Sequence, residues 1–445
     1  MTIQALRKKY PKFIYRGYAY KHTRRDLTIS FDFVVPALGG VEGPPNISFH
    51  PKVVIPNTPN IPKPYLDNLV FHLGLMEIPS YWKATCSPEI IVEVGFLNKE
   101  QVAWWKDLIL KGMGEYFYQN KIDFTKPNFL KISCLTKRSL VLTKLRLVSN
   151  KNKALVPVGG GKDAAVTLEL LKKAGMEVTP FLLNPKPEQI KILSLAKAGK
   201  PIVVERIIDP KLLELNRKGY LNGHTPFSAY LAFLTVLTAA LFDHKYIALS
   251  NERSSNEGNV KYLGKTINHQ YSKSFEFEKK FRQYSKKYLA NNIEYFSFLR
   301  PLYELQIARI FAKYPKYFGA FLSCNEAHRT YSGTKKPLGR WCGACPKCLF
   351  VFLALYPFAG KKRTVTIFKK DLLKTKNYQL KTILSELTGK RNFKPFECVG
   401  TIEESKAALA LSLGKIKDHK ILRSWNTQHF LPPAFEKLLK RTVDK

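Results

Sequence analysis

Acidic residues are scarce in this sequence. Its 445 residues include 34 Asp and Glu against 73 Lys and Arg, which gives a formal net charge of +39 at pH 7. Such a field favours anionic partners, namely nucleic acids, anionic membranes, or small molecules with phosphate or carboxylate groups. The basic residues are spread along the chain, and the longest basic runs, Arg7 to Lys9 and Lys361 to Arg363, have three residues. A solvated surface is the simpler explanation, and charge alone does not identify the partner.

Long apolar runs and cysteines are also few. The first residues, MTIQALRKKYPKF, have no apolar core after their charges, which argues against a secretory signal. The most apolar stretch, Pro226 to Phe242, is short for a bilayer and contains Ser228, Thr235 and Thr238, so it predicts a buried helix. Seven cysteines in so long a chain do not suggest a disulfide scaffold. We expect a cytoplasmic protein without a membrane partner.

The length and the apolar content of 45% are sufficient for two or three domains with a large core. Residues 1–150 mix strand and helix patterns, which predict an α+β domain; its clearest helix follows Asn98, with a capping box to Gln101. Residues 151–355 alternate strands and helices, which indicates an α/β domain with a doubly wound parallel sheet. Residues 356–445 are lysine-rich and mainly helical, and no repeat is visible.

Four strands of the central region are predicted from apolar runs: Leu155 to Val158, Glu177 to Leu183, Ile202 to Ile207, and Tyr246 to Ser250. Doubly wound sheets bind ligands at the carboxyl ends of their strands, so the loops after these strands are the expected binding region. The loop after Ser250 is unusually polar, which favours a site there over a merely solvated loop.

Three glycines, Gly159 to Gly161, follow the first of these strands and precede Lys162, Asp163 and an amphipathic helix. Glycines leave no Cβ between backbone and ligand, so successive N–H groups and the helix N-terminus can face a phosphate. The spacing does not match GxxxxGK[ST], and GxGxxG would need a glycine at Ala164. The pyrophosphatase loop SGGxDS fits better, with Gly159 and Ala164 at its serine positions. A simple connecting turn is the alternative.

Four cysteines form a candidate metal site: Cys324, Cys342, Cys345 and Cys348. Their thiolates are sufficient for a closed tetrahedral Zn²⁺ site, with His328 as a substitute ligand. An iron–sulfur cluster is the rival because CxxCxxC is also its spacing, and unliganded thiols are the third possibility. Since a closed four-thiolate site is structural, we expect it to brace the fold and not to take part in catalysis.

Long segments of the sequence resemble the MurL family, the UDP-N-acetylmuramoyl-L-alanyl-L-glutamate epimerases. The segments are His72 to Ile90, Gly219 to Leu237, Ala248 to Gly264, Asn268 to Glu278, Phe296 to Ala312 and Trp341 to Phe358. The glycine loop, the turn at Arg300 to Leu302 and the cysteine spacing also resemble the PP-loop ATP pyrophosphatase superfamily. The resemblance covers roughly residues 65–405 and implies a PP-loop (HUP-like) sheet in the central domain.

The family resemblance implies an ATP- and Mg²⁺-dependent inversion of the terminal L-glutamate of a UDP-linked muramoyl dipeptide, giving D-glutamate, AMP and pyrophosphate in peptidoglycan precursor synthesis. A free carboxylate resists loss of the α-proton because a second negative charge would build on it, and joining it to AMP removes this obstacle. The residues expected to bind ATP and Mg²⁺ are Gly159, Gly160, Gly161, Lys162, Asp163, Glu252, Arg253 and Arg300, with Glu257 as an alternative to Glu252.

Inversion also requires a proton to leave one face of the α-carbon and return on the other, which takes two bases or one mobile base. The candidates are Cys86, His269, Lys273 and Cys398. A lone cysteine is more often a small buried apolar residue than a base, so both thiols stay open at this point. The choice for His269 is between a ligand-facing and a structural residue.

Two other functions are compatible with the same residues. A tRNA-modifying enzyme of the superfamily would adenylate a nucleotide base, and it predicts tight, salt-sensitive tRNA binding. A non-catalytic nucleotide-binding scaffold is permitted by the replaced loop serines. Nucleic acid is not the expected partner, although the charge of +39 exceeds what one small ligand requires.

Overall fold

The structure is a computed structural model that describes residues 2–23, 26–39, 45–135, 153–328, 338–374 and 376–443. Eleven strands of the described chain form one sheet, and two more form a separate hairpin. The strands are β1 (Lys12–His22), β2 (Asp26–Val35), β3 (Ile47–Phe49), β4 (Lys52–Pro56), β5 (Glu89–Val92), β6 (Lys131–Cys134), β7 (Lys153–Pro157), β8 (Glu177–Leu183), β9 (Ile202–Ile207), β10 (Tyr246–Leu249), β11 (Val260–Tyr262), β12 (Lys265–Ile267) and β13 (Glu294–Ser297).

One half of the sheet is parallel, with the order β13-β10-β7-β8-β9. The strand order reverses between β7 and β10, so a crevice opens at the carboxyl ends of these two strands. Both faces of this half are covered, since Leu155 of β7 joins one apolar core and its neighbours Ala154 and Val156 join the other. The predicted α/β fold with a large parallel sheet is confirmed here.

The other half continues the same sheet from residues that precede β7. Strand β9 pairs antiparallel with β4, and the order then runs β4-β2-β1-β5-β6, with β3 beside β2. Strands β1, β2 and β4 are antiparallel neighbours, whereas β5 and β6 run parallel to β1. The predicted boundary at residue 150 lies outside the described residues, and the sheet connects the regions on its two sides. The division into domains stays a prediction.

Helices cover both faces of the parallel half of the sheet and form most of the C-terminal region, whereas β1, β2 and β4 alternate buried with more exposed residues. The helices are α1 (Ile3–Lys9), α2 (Lys63–Trp82), α3 (Lys99–Gly112), α4 (Gly114–Gln119), α5 (Lys162–Lys173), α6 (Pro187–Ala196), α7 (Pro210–Arg217), α8 (Phe227–Leu241), α9 (Phe275–Tyr288), α10 (Glu304–Ala312), α11 (Asn325–His328), α12 (Pro346–Ala359), α13 (Lys361–Phe368), α14 (Tyr378–Leu387), α15 (Ile402–Ser412) and α16 (Pro433–Val443). Across the described ranges, no helix combines the length and apolarity that a membrane crossing requires.

The start of α3 agrees with its predicted capping signal, whereas the start of α8 differs from the prediction by one residue. Helix α3 begins with the expected capping box, in which Asn98 accepts from the Gln101 N–H and the Gln101 side chain accepts from the Asn98 N–H. Helix α8 is buried, as predicted, but it starts at Phe227, one residue after the start of the predicted stretch, with Pro226 in the N-cap position. The ψ of Pro226 is 70°, which keeps this residue outside the helix.

Candidate functional site

The glycine turn, residues 158–161, connects β7 to α5 at the crevice. Gly161 is the N-cap of α5 and supplies no capping side chain. Within the described ranges, the backbone N–H groups of residues 159–164 have no hydrogen-bond acceptor. The N–H of Leu322 donates to the Gly160 carbonyl at 2.6 Å, which fixes the turn, while a Cβ at Gly159 would meet no atom within 4 Å. The turn therefore offers a row of free amides to an anion.

Lys162 does not extend towards solvent from this turn, because its side chain is only 2% exposed. Its Nζ lies 2.5 Å from Asp163 Oδ1 and 2.6 Å from Glu304 Oε2, and Lys347 Nζ lies 3.1 Å from the other oxygen of Glu304. Burial alone would raise the pKa of Glu304, but the two ammonium groups lower it to about 2. Lys162 thus holds a carboxylate in place, which differs from the phosphate contact expected of it.

Glu252 follows β10 and is buried on the other side of the crevice. Its pKa is raised to about 7, first by burial and then by the charges of Glu304 and Asp163, which the ammonium group of Lys273 partly offsets. Three carboxylates, those of Asp163, Glu252 and Glu304, therefore influence one another at the strand ends. Carboxylate oxygens are the ligands that Mg²⁺ prefers in proteins, so Asp163 and Glu252 are of the right chemical type for that ion, whereas both oxygens of Glu304 are bound by Lys162 and Lys347.

Arg300 is fully buried, and its guanidinium is engaged within the protein. Its N–H groups donate to the Glu278 carboxylate, the carbonyl oxygens of Glu252 and Lys273, and the hydroxyls of Ser255 and Ser297. These bonds anchor the polar loop after β10 to β13. The contacts give Arg300 a positioning role, in contrast to the phosphate binding that the resemblance implies.

Two other predicted residues of this loop, Arg253 and Glu257, contact different parts of the protein. The guanidinium of Arg253 lies 4.4 Å from the centre of the Tyr303 ring, and its residue is partly exposed. Glu257 accepts from the Ile402 N–H and lies 3.0 Å from Lys394 Nζ, which ties the loop to α15. The structure therefore leaves Glu252, and not Glu257, beside the glycine turn.

Cys398 lies in the loop between α14 and α15 and faces the polar loop after β10. Lys273 Nζ is 3.2 Å from its Sγ, and the His269 ring is close enough to the same sulfur to influence its pKa. Burial alone would raise the pKa of Cys398, but Lys273 and His269 lower it to about 5. Burial opposes the charge of His269, whereas the neighbouring Cys398 and Glu115 raise its pKa to about 9. At neutral pH the pair is a thiolate and an imidazolium.

Two residues that the sequence analysis did not assign complete this cluster. Glu115 of α4 hydrogen bonds with Nδ1 of His269, and the His224 ring centre lies 4.4 Å from that of His269. Burial, followed by the charge of His269, keeps the pKa of His224 well below its usual value, so His224 is neutral. His224 stands in one of the segments that resemble the MurL family, and this is its only signal in the sequence. Nothing in the sequence points to Glu115 as a site residue.

Cys86 lies apart from the other three predicted bases. It is fully buried, its Sγ is 3.7 Å from the Arg7 guanidinium, and it also bonds with Tyr116. Burial raises the pKa of the Cys86 thiol to about 11. In the described part of the chain it has no hydrogen bond to His269, Lys273 or Cys398. The structure thus brings together three of the four candidates.

The cysteine knuckle, formed by Cys324, Cys342, Cys345 and Cys348, has its four sulfurs within 4.8 Å of one another. The Cys324–Cys345 and Cys342–Cys348 sulfur distances are 3.9 and 3.6 Å. Zn–S bonds of ~2.3 Å in a tetrahedron place sulfurs ~3.8 Å apart, so the cluster could bind a metal such as zinc. The side chain of His328 lies outside the described part of the structure.

The knuckle is connected to both parts of the site through Lys347. Its Nζ contacts Glu304 beside the glycine turn, and its backbone N–H donates to Glu397 Oε2 at 2.5 Å, next to Cys398. Cys345 is the N-cap of α12, so the knuckle and Lys347 share one helix start. The glycine turn, the carboxylates and the Cys398 cluster therefore form one continuous candidate active site.

The comparisons with known proteins identify the family of the chain. The family model of the MurL N-terminal domain matches residues 4–298, and that of the MurL C-terminal domain matches residues 320–434. A protein of Xanthomonas oryzae pv. oryzae is 36% identical over 340 residues, which are 76% of this chain and 73% of the relative. One of Micromonospora sp. is 38% identical over 332 residues, 75% of this chain and 72% of the relative. Both are named UDP-N-acetyl-alpha-D-muramoyl-L-alanyl-L-glutamate epimerase.

The fold defines an α/β protein, and its relatives make it an isomerase of the epimerase type. The chain belongs to the MurL family. The predicted family and enzyme class are confirmed, and the tRNA-modifying alternative is not favoured by these relatives.

Proposed function

We propose that this protein inverts the terminal L-glutamate of UDP-N-acetylmuramoyl-L-alanyl-L-glutamate after its carboxyl group has been joined to AMP. The observation that carries the proposal is the placement of the Cys398 thiolate, with His269 and Lys273, beside a crevice that holds both a glycine turn and three carboxylates. The names of the relatives supply the substrate, and the activation by ATP rests on the site and on the superfamily resemblance.

The glycine turn is the proposed phosphate site of a PP-loop fold. Its free amides at residues 159–164 suit phosphate oxygens, and the open space at Gly159 leaves room for them. The side-chain hydroxyls of an SGGxDS loop are replaced by Gly159 and Ala164, so binding relies on the backbone. Asp163 and Glu252 are the proposed ligands of Mg²⁺, with Glu304 behind them.

ATP, as the second substrate, neutralises the glutamate carboxyl by forming a carboxyl–AMP anhydride and releasing pyrophosphate, which makes the α-proton removable. The Cys398 thiolate then takes the α-proton from one face, and the electron pair of the C–H bond moves into the activated carboxyl group. His269, held as an imidazolium by Glu115, donates a proton to the opposite face. Water then cleaves the carboxyl–AMP anhydride of the inverted product, which restores the carboxylate and releases AMP. Because Cys398 and His269 lie beside each other in this structure, the substrate has to bind between them.

Lys273 and the cysteine knuckle have supporting roles in the proposal. Lys273 stabilises the Cys398 thiolate and is oriented through its carbonyl oxygen, which Arg300 binds. A zinc ion in the knuckle would brace the start of α12 and thereby hold Lys347 between Glu304 and Glu397. No chemical step is assigned to that ion.

The decisive experiment supplies the protein with ATP, Mg²⁺ and UDP-N-acetylmuramoyl-L-alanyl-L-glutamate and measures AMP together with the configuration of glutamate. We expect both AMP and D-glutamate from the wild type, and neither from Asp163→Ala, with the knuckle metal unchanged by elemental analysis. Asp123→Ala removes an exposed carboxylate outside the candidate site. It is the matched control and should behave as wild type.

Each other outcome has a defined meaning. Absence of inversion by folded wild type contradicts the proposed function. Full AMP release by Asp163→Ala contradicts the role of the glycine turn. AMP formation that requires tRNA in place of the muramoyl dipeptide would support the tRNA-modifying alternative, which the relatives do not favour.

A further inference from the structure

A large cavity lies next to the glycine turn but outside the site described so far. Its volume is about 1050 Å³, and it opens between the N-terminus of α6, residues 318–322 and α13. Leu322 lines it, and the N–H of the same residue donates to the Gly160 carbonyl. Cavity and glycine turn thus share a wall. The volume is at the upper end of the ~300–1,000 Å³ typical of small-molecule sites.

The charged residues around this cationic cavity are almost all positive. They are Lys191, Arg340, Lys362, Arg363 and Lys369, against the single acid Glu188. Within the described residues, no carboxylate lies within 4.0 Å of Arg340, Lys362 or Arg363. Five cations converging on one concave surface, most of them without an anionic partner from the described chain, favour a ligand with at least two negative charges.

Aromatic rings form another wall of the cationic cavity. The Trp341 ring centre lies 5.3 Å from that of Phe321 and 4.6 Å from that of Phe368, so Trp341 is held between two packed rings. Trp341 is itself partly exposed and directly precedes Cys342 of the knuckle. A partly exposed indole, packed against two rings and beside guanidinium and ammonium groups, suits a nucleobase that carries phosphates.

We propose that the cationic cavity binds the uridine diphosphate end of the substrate. This inference rests on the proposed function for the identity of the substrate. If the phosphates of ATP occupy the glycine turn, the rest of ATP is an uncharged adenosine, which gives five cations no anionic partner. Uridine diphosphate brings a base and two charged phosphates together, and it lies at the far end of the substrate from the reacting glutamate.

The test measures binding of uridine diphosphate by calorimetry to the full-length protein. In Lys362→Glu/Arg363→Glu we expect the dissociation constant to rise about tenfold or more, because two attractive charges become repulsive. The KM for the muramoyl dipeptide should rise similarly, while the KM for ATP stays within about twofold. Lys390→Glu/Lys415→Glu, two exposed lysines elsewhere, carries the same change of net charge and should bind as wild type.

A second variant protects the test against misfolding. Thr366→Glu places a carboxylate at an exposed position of the same wall, where the native hydroxyl bonds only within its own helix. Wild-type affinity in both variants, or no binding of uridine diphosphate to the wild type, overturns the inference. An equal loss of ATP affinity also overturns it, by assigning the cavity to ATP. Because calorimetry needs no turnover, failure of epimerisation would not be mistaken for failure of this site.

Discussion

Cys86 and Cys398 both stand apart from the cysteine knuckle in the sequence, but the fold gives their sulfurs different surroundings. Cys86 is enclosed by the core, and burial raises its pKa to about 11. Cys398 is only partly buried, and Lys273 and His269 lower its pKa to about 5. Both thiols have a cation beside them, Arg7 for Cys86 and Lys273 with His269 for Cys398, so the comparison shows that two cations outweigh burial where one does not.

The strongest test of this comparison is Cys398→Ala. Removing the base should lower the rate of glutamate inversion by about 10²–10⁴-fold, since that is the range of a positioned acid or base. The rate is measured from D-glutamate formation and from deuterium incorporation at the α-carbon in heavy water. Inversion at more than about a tenth of the wild-type rate would remove Cys398 from the mechanism.

Glu115→Gln tests the positioning of the imidazolium. Because Glu115 raises the pKa of His269, the neutral amide should lower that pKa below about 9 and reduce inversion about 10-fold. In the wild type, kcat/KM should rise as Cys398 loses its proton near pH 5 and fall as His269 loses its proton near pH 9. In the variant the alkaline limb should move to lower pH. An unchanged profile would contradict the role of Glu115.

Much of the fold could be predicted from the sequence because its signals are local. The predicted strands at Glu177–Leu183 and Ile202–Ile207 have the observed bounds, since short apolar runs between turn residues define them. The glycine turn and the capping box of α3 are local in the same sense. Helix starts such as that of α8 were displaced by one residue, because a proline can occupy either side of the boundary.

The site was less predictable because the residues that contact each other in it lie far apart in the sequence. Glu115 contacts His269 across 154 residues, and Lys162 contacts Glu304 across 142. No spacing rule connects such residues, so neither carboxylate was assigned. For the same reason, the sequence could not separate Cys86 from Cys398, whose difference depends on which cation the fold places beside each sulfur.

Alkylation by iodoacetamide tests this difference together with the accessibility of the two sulfurs, since Cys86 is fully buried and Cys398 is partly exposed. At pH 7 Cys398 is mainly thiolate and Cys86 is not, and although a low pKa reduces intrinsic nucleophilicity, Cys398 should react about tenfold faster or more. Peptide mass spectrometry follows each site in the native protein. Lys273→Gln should slow the labelling of Cys398, whereas Lys279→Gln, an exposed lysine of α9, should not. Equal rates at both cysteines would contradict the assigned protonation states.

The smallest expected effect belongs to Cys86→Ala. This change removes a sulfur that packs in the core against Arg7, so it should cost ~1 kcal/mol in the free energy of unfolding, measured from the urea midpoint. Inversion should stay at the wild-type rate, because the substituted side chain bonds to neither His269 nor Lys273. The result is informative in both directions. If activity falls as far as in Cys398→Ala while the protein stays folded, Cys86 is a second base and the proton transfer assigned to His269 has to be given to it.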